Sequence, residues 1–287
     1  MRRGWPALLM AAAGLWAPAA SALDAASVQL SGGAGLGYDG NPGSAETGKT
    51  VSPSGFATAR LAATLTQRPD GPIALLLRGS VDGQQYFDHV GLSNARAGGL
   101  LRVLYRPDGS FFAPTLALWG SAAAWQFGSS MRSGAEYRGG AYAVEQLNTA
   151  ISLRAGGNFA ERRSASSVFD LRGETATLDA DWLLGDALSA RLGYEFRYGS
   201  FAVSTPQDSG AAQNAAAQQA DDALRREGLS NVVYRLKGHT QIGTLGLNYA
   251  LTPLLALDAQ VQQIHTRSDF NDHYNRWLAE VGVLLRF

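Results

Sequence analysis

Between Leu188 and Gly199 the side chains alternate without a miss. Leu188, Ala190, Leu192, Tyr194, Phe196 and Tyr198 share one face of an extended chain, and Ser189, Arg191, Gly193, Glu195, Arg197 and Gly199 share the other. A period of two sustained over that length marks a β-strand with two different surroundings. The last segment repeats it, with Trp277, Ala279, Val281, Val283, Leu285 and Phe287 opposing Arg276, Glu280, Gly282 and Arg286. The same dyad runs through 151–159, 73–81 and 255–261. The predicted strands are 12 to 20 residues long. Strands of water-soluble domains usually have ~5–6 residues, whereas a strand tilted at ~45° across a bilayer needs ~9–11 and can project beyond it.

Turn chemistry supplies the topology. Arg68-Pro69-Asp70-Gly71 and Arg106-Pro107-Asp108-Gly109 are near-copies whose Pro and Gly suit tight turns. Leu184-Gly185-Asp186, Leu251-Thr252-Pro253 and the region of Asn148 read as further short turns. On the opposite side lie longer polar connections at 39–54, 88–91, 127–133, 163–169, 202–229 and 268–272. Five short turns and six loops imply twelve strands. Ten or fourteen stay open, because 111–147 and 230–250 can be divided in more than one way. Short turns at one end and long loops at the other is the asymmetry of a transmembrane barrel. A sheet in lipid must close, since its edge N–H and C=O groups have no water to bond. The expected fold is therefore all-β, an antiparallel transmembrane β-barrel of about twelve strands.

Aromatic spacing sharpens this. Trp277 and Phe287 share one face ten residues apart, roughly 26 Å of height at ~3.4 Å per residue and a ~40° tilt. An outward apolar band is ~25 Å tall with aromatic girdles at both edges. Tyr105, Phe112, Trp182 and Tyr249 fall near the short-turn ends, and Tyr38, Phe87, Phe159 and Tyr198 near the long-loop ends.

Composition adds exclusions. The 287 residues carry 24 basic and 24 acidic side chains and no cysteine. Disulfides, thiolate metal sites and a cysteine nucleophile are excluded, and zero net charge argues against a nucleic-acid partner. Arg2 and Arg3, an apolar run over 7–17 and Ala20-Ser21-Ala22 have the order of a cleaved secretory leader. The expected organisation is a signal peptide at 1–22 followed by one barrel domain at 23–287. Nothing after the leader has 18 consecutive apolar residues, so no membrane-spanning helix is expected.

The ending Glu280-Val281-Gly282-Val283-Leu284-Leu285-Arg286-Phe287 resembles the terminal signal of Gram-negative outer-membrane barrel proteins. In that signal a polar residue, then Gly, then alternating apolar residues lead to a final aromatic. The resemblance implies an outer-membrane location, lipids and lipopolysaccharide as surroundings, and recognition of the last strand by the barrel-assembly machinery. Gly282, Leu285 and Phe287 are the matching positions. Gly37-Tyr38-Asp39-Gly40-Asn41-Pro42 resembles the first strand and loop of β-barrel porins and related barrels, some of which accompany exopolysaccharide export.

With the apolar dyad toward lipid, the other face points into a lumen. There the sequence places Arg60, Arg78, Arg96, Arg102, Arg106, Arg154, Arg162, Arg191, Arg197, Arg276 and Arg286 against Asp82, Asp179, Asp181, Glu195, Asp258 and Glu280. Seventeen charges packed dry would be expensive, and a wet lumen keeps them solvated. An excess of arginine favours anions, and the planar guanidinium suits carboxylates. The expected function is passive, porin-like passage of small anionic solutes or acidic oligosaccharides, with no cofactor and no resident metal. The alternatives are an accessory barrel for export of exopolysaccharide or another secreted polymer, and a paired internal network that plugs a small barrel.

Other chemistry is faint. His89 and Ser93 stand four apart, ~13 Å in an extended chain, too far for general-base activation without a turn at Gly91. An outer-membrane lipid hydrolase using them is the enzymatic alternative. His265, Asp269, Asp272 and His273 have donor atoms suited to a divalent ion, but a solvated loop has the same composition. Gly33, Gly35 and Gly37 read as small lumen residues rather than a phosphate loop. In 202–229, the pairs Asp221/Arg225 and Asp222/Arg226 permit a helix over about 211–227 ending at Gly228, a lid if it folds inward. The mostly Ala face of that segment favours a surface loop instead. Arg235 and Lys237 lie where lipopolysaccharide phosphates would meet the rim, and ordinary rim charges are the bland alternative.

Overall fold

The computed structural model describes residues 26–47, 52–68, 71–108, 110–206, 215–220, 223 and 231–287. The expected leader, Pro69, Asp70, Gly109 and the tract containing Asp221, Asp222, Arg225, Arg226 and Gly228 lie outside the described residues. The chain runs β1 (Ala26–Asp39), β2 (Ser54–Gln67), β3 (Ile73–Tyr86), β4 (Asn94–Tyr105), β5 (Thr115–Phe127), β6 (Gly134–Gln146), β7 (Ile151–Ser164), β8 (Leu171–Leu183), β9 (Leu188–Pro206), β10 (Ala217–Ala220), β11 (Asn231–Ala250), β12 (Leu255–Ser268) and β13 (His273–Arg286).

Every chain-adjacent pair from β1 to β9 is antiparallel, β9 pairs directly with β11, and β13 returns to β1. The result is a closed antiparallel barrel of twelve strands, with β10 outside the ring. Twelve strands at ~4.8 Å spacing and a ~40° tilt enclose a ring about 24 Å across, measured between backbones. Closure runs from Ser31 opposite Arg286 to Asp39 opposite Leu278. Leu30 and Phe287 add a reciprocal backbone pair, at 3.2 and 2.9 Å. The segment with Gly282, Leu285 and Phe287 is thus the strand that seals the cylinder.

The alternation sorts onto the two sides of the wall. Leu36, Leu118, Leu192 and Val281 are each more than 60% exposed and belong to the outer face. A continuous apolar sheath of this kind is an aggregation surface in water and a matched surface in hydrocarbon. Aromatics collect at both edges, with Tyr105, Phe112, Trp182 and Tyr249 toward the short turns and Tyr38, Phe87, Phe159, Tyr198 and Trp277 toward the long loops, all exposed. Leu192→Arg, in the middle of β9, is therefore expected to cost roughly 2–4 kcal/mol of barrel stability, read by urea unfolding in lipid vesicles. The reverse change at the neighbouring inward position, Arg191→Leu, should cost less, since water reaches the lumen carboxylates it leaves behind.

On the inner face, glycine makes room where a large neighbour leans in. A Cβ at Gly37 would lie 2.3 Å from the Phe56 ring. Phe56 in turn packs on Tyr86 and Leu92 at the outer rim. Gly33, Gly35 and Gly37 stand on the lumen face, as their sequence spacing suggests.

Three consecutive outer loops repeat one device. Val90–Leu92, Ser130–Arg132 and Ser167–Phe169 each form a single 3-10 turn. The next polar side chain reaches back to a strand N–H: Ser93 Oγ accepts from Tyr86 at 3.0 Å, Ser133 Oγ from Phe127 at 2.9 Å and Asp170 Oδ1 from Ser164 at 2.7 Å. Adjacent loops are then tied together, Gly128 N–H donating to Ser93 O at 2.8 Å and Ala165 N–H to Ser133 O at 2.9 Å. The polar connections are an ordered collar, because their backbone groups bond one another.

β9 and β11 are 19 and 20 residues long, and their upper ends pair with each other beyond the ring from Gly199–Gly238 to Pro206–Asn231. This ribbon lies across the outer mouth as a strap. Val203, Tyr234 and Leu236 pack on Tyr274 of β13, while Val233 packs on Val168 and Phe169 of the β7–β8 loop. Ser204 N–H donates to Gly43 O in the β1–β2 loop at 3.0 Å. Ala223 sits against Leu92, on the side of the mouth opposite β9 and β11. At 217–220 the described part of 202–229 is neither the surface loop favoured by the sequence nor the alternative helix over 211–227: Ala217–Ala220 is a strand. The reason is an unfilled edge. β12 stops pairing at Gly238 opposite Ser268, so β11 residues 232–235 need partners on that side and β10 supplies them.

Candidate functional site: an arginine-lined chamber beneath the strap

Four neighbouring strands build one wall of the lumen. β4 presents Arg96 and Arg102, β5 Trp125 and Phe127, β6 Glu136, Arg138 and Tyr142, and β7 Arg154, Asn158 and Arg162. Arg96 stands directly opposite Trp125 in the register. The aromatics hold the guanidinium groups in place. Arg96 and Arg162 lie over the Trp125 ring at 5.2 and 5.3 Å, and Arg162 also over Phe127 at 4.9 Å. Trp125 and Phe127 stack on each other with centroids 5.7 Å apart. Nearer the short turns, Arg102 and Arg154 flank Tyr142 at 5.3 and 5.4 Å. Tyr142 fits because Gly156 stands opposite it, where a Cβ would come within 2.5 Å. Cation–π contacts of this kind restrict a long side chain without neutralising it.

Carboxylates are scarce on this wall. Glu136 takes a bidentate bond from Arg138, at 2.9 and 3.1 Å, and has Arg96 at 3.9 Å. Among the described residues no ion pair forms at Arg78, Arg102, Arg154 or Arg162. Arg162 instead donates to the Arg132 carbonyl at 2.7 Å, and Arg132 lies 4.3 Å over Phe169. Among the described residues the buried Nε of Arg96, the buried Nε of Arg162 and the indole N–H of Trp125 have no acceptor.

The facing wall is mixed. Arg191 sits between Asp179 and Asp181 at 3.6 and 3.4 Å. Arg197 pairs with Glu195, and Arg60 meets Glu280 through two 2.9 Å bonds. Asn248 donates to Asp258 at 3.1 Å. Asp82 bonds Ser80 beside Arg60 of the neighbouring strand. Arg276 is engaged at the rim by Asp39 and is an anchor rather than an open charge. Arg106 departs from the sequence expectation: its guanidinium binds the carbonyls of Ser110 and Phe111 at 2.7 Å, stapling the β4–β5 turn. Sequence reading passed over Asp39, Arg132, Glu136 and Arg138.

Between the walls and under the strap is a cavity of about 570 Å³. Trp125, Phe127, Arg132, Glu136, Arg138, Asn158 and Arg162 line one side, Glu195, Arg197 and Thr240 the other, and Phe201, Ser204 and Val233 of the strap lie above. Three guanidinium groups, of Arg132, Arg138 and Arg162, against one carboxylate on the β4–β7 side give the chamber a positive wall, and Arg96 stands 3.9 Å from that carboxylate. Its size lies within the ~300–1,000 Å³ range of small-molecule sites.

The residues considered for catalysis are engaged structurally. Ser93 Oγ caps Tyr86, and His89 Nε2 meets the Ser52 carbonyl at 2.9 Å. Of the cluster considered for a metal, Asp272 accepts from Ser268 Oγ at 3.0 Å, while His265 bonds Asn275 at 2.7 Å.

No protein-family model and no curated protein matches the sequence. Among solved structures, the chain is similar to an outer membrane channel from Pseudomonas putida F1, with a TM-score of 0.59 at 10% identity over 92% of this chain and 98% of that one. It is less similar to the NanC porin, with a TM-score of 0.47 at 9% identity over 90% and 99% of the two chains. At such identity the first likeness concerns the fold alone, and the chain has the barrel fold of an outer-membrane channel.

Proposed function

We propose that the protein is a porin-like channel of the outer membrane that passes small anionic solutes. The supporting observation is the chamber wall, where Arg132, Arg138 and Arg162 line the cavity beside the one carboxylate of that wall, Glu136, which lies 2.9 Å from Arg138 and 3.9 Å from Arg96. A positive wall beside a low-dielectric barrel concentrates anions and repels cations. Cation–π contact with Trp125, Phe127 and Phe169 restrains the guanidinium groups, so less side-chain freedom is lost when they meet a carboxylate. The orphan donors on Arg96, Arg162 and Trp125 suit a solute rich in oxygen acceptors. The lumen faces of Arg78, Arg102 and Arg154 continue the positive wall toward the short turns. The last strand, with Gly282, Leu285 and Phe287, is the segment we assign to recognition by the assembly machinery.

The test is reversal potential across a planar bilayer under a salt gradient. The wild-type barrel is expected to show the sign of an anion-preferring pore. Arg96→Gln with Arg162→Gln should move the reversal potential toward zero while keeping the pore open. A cation-preferring wild type, or a potential indifferent to both substitutions, overturns the assignment.

A further inference from the structure

The outside of the barrel is electrically lopsided. On the outward faces of β1 to β6, the only charged strand residue is Glu145, at the short-turn end. Among the described residues, all the outward basic residues of the strands stand on β7 to β13, toward the long loops, and include Arg163, Arg172, Lys237 and Arg267, with Glu161 and Glu174 beside them on β7 and β8. They sit just beyond the outward rings of Phe196, Tyr198 and Trp277. That level is where a bilayer changes from acyl chain to headgroup.

Within this sector a groove of about 480 Å³ opens on the outer surface, lined by Arg172, Ser200, Arg235, Lys237, Asp269 and Phe270. The pleat sets its geometry. Ser200 stands opposite Lys237 in the register, and its Oγ accepts from the Arg172 N–H at 2.7 Å. Arg172, Ser200 and Lys237 therefore lie abreast on three adjacent strands, placing the two cations' backbones about 10 Å apart. Among the described residues each is held from one side only. Arg172 shares Glu161 with Arg163, at 3.1 and 2.8 Å, and remains 68% exposed. Lys237 Nζ lies 4.8 Å over the Tyr198 ring. Arg235 donates to the carbonyls of Ser167 and Asp170 at 2.6 and 3.2 Å, which fixes the upper wall. Charged side chains facing lipid are costly unless something at the interface meets them.

We propose that this groove binds a phosphate-bearing lipid of the outer leaflet, of the lipopolysaccharide class. Phosphate oxygens bond Arg172 and Lys237, and an acyl chain continues down the outer face over Phe196 and Leu245. Phosphate matches both cations, and the apolar strip below matches the chain. A water-soluble anion would use only the first feature. The assignment rests on the membrane reading of the barrel and not on conduction through it.

The experiment is lipid retention by the full-length barrel in detergent micelles, read by native mass spectrometry. The probes are a bis-phosphorylated lipid A and its dephosphorylated counterpart. The phosphorylated lipid should be retained and the dephosphorylated one lost. Arg172→Gln with Lys237→Gln should weaken retention at least ~10-fold, about 1.4 kcal/mol. The charge-preserving pair Arg172→Lys with Lys237→Arg should restore most of it. That rescue separates lost contact from lost fold. Equal retention of both lipids, or by the Gln pair, overturns the site. Displacement of the lipid by millimolar inorganic phosphate overturns the lipid as its occupant. A barrel that conducts no ions yet retains the lipid upholds this site while overturning the channel.

Discussion

Arg276→Ala is expected to lower the unfolding free energy by about 3–5 kcal/mol. Asp39, at the end of β1, is fully buried. Its carboxylate takes four bonds: Arg276 Nε at 2.9 Å and Arg276 Nη2, the Tyr86 hydroxyl at 2.7 Å and the Asn41 N–H at 3.0 Å. The Asp39, Tyr86 and Arg276 side chains come from β1, β3 and β13, and Asn41 from the β1–β2 loop, so the network clamps the seam where the barrel closes. Removing the guanidinium leaves the charge desolvated with two neutral donors. Tyr86→Phe removes one donor and should cost far less, about 1 kcal/mol. Replacing both partners, Asp39→Asn with Arg276→Met, should recover much of the loss, because the uncompensated charge is gone. Urea unfolding of barrels folded in lipid vesicles measures all three. Equal stability of Arg276→Ala and wild type would show that Asp39 is hydrated rather than clamped.

The fold was legible because its two solvents write the sequence. Along β9 and β13, hydrocarbon selects Leu, Tyr and Val at one parity while the lumen accepts Arg and Glu at the other, so register and face read off together. The division at 111–147 was harder for a specific reason. Gly120-Ser121-Ala122-Ala123-Ala124 in β5 and Gly139-Gly140-Ala141 in β6 are small on both faces, and small residues carry no contrast. Glu136 and Arg138 stand between these runs, which is why the most charged part of the chamber was passed over. A signal was present: Trp125 and Phe127 share the parity of Ser121 and Ala123, and Glu136, Arg138 and Tyr142 share one parity in β6.

The strap was illegible for a different reason. The sequence places Val203 in the long connection 202–229 and Tyr234 and Leu236 in the strand 230–250, and nothing local distinguishes a strand that leaves the ring. Their burial depends on Tyr274 and Val168, distant in sequence. Asp39 likewise looked like part of a loop signal, since its partners Tyr86 and Arg276 come from strands far along the chain. Periodicity reports the solvent a face meets; it does not report which distant side chain supplies a contact.

Removing the strap is expected to raise single-channel conductance several-fold. The deletion joins Ser200 to Lys237 through an Asn-Gly turn. Those two residues are already paired, and Asn-Gly suits a two-residue hairpin. The ring survives in this variant, since β9 and β11 still pair from Gly199–Gly238 down to Leu188–Tyr249. What is lost is the ribbon that rests on Tyr274, Phe169 and the β1–β2 loop and forms the roof of the 570 Å³ chamber. Current through a barrel is limited by its narrowest section, so conductance tests whether that section is the strap. Ion preference tests a separate element. Arg96, Arg138 and Arg162 belong to the wall and remain, so the reversal potential should keep its anionic sign while falling in magnitude, as a wider lumen dilutes their field. Higher conductance with sign retained places the gate in the strap and the selectivity in the wall. Unchanged conductance moves the constriction down to the Arg102–Tyr142–Arg154 tier, where Tyr142→Ala becomes the variant that widens the pore.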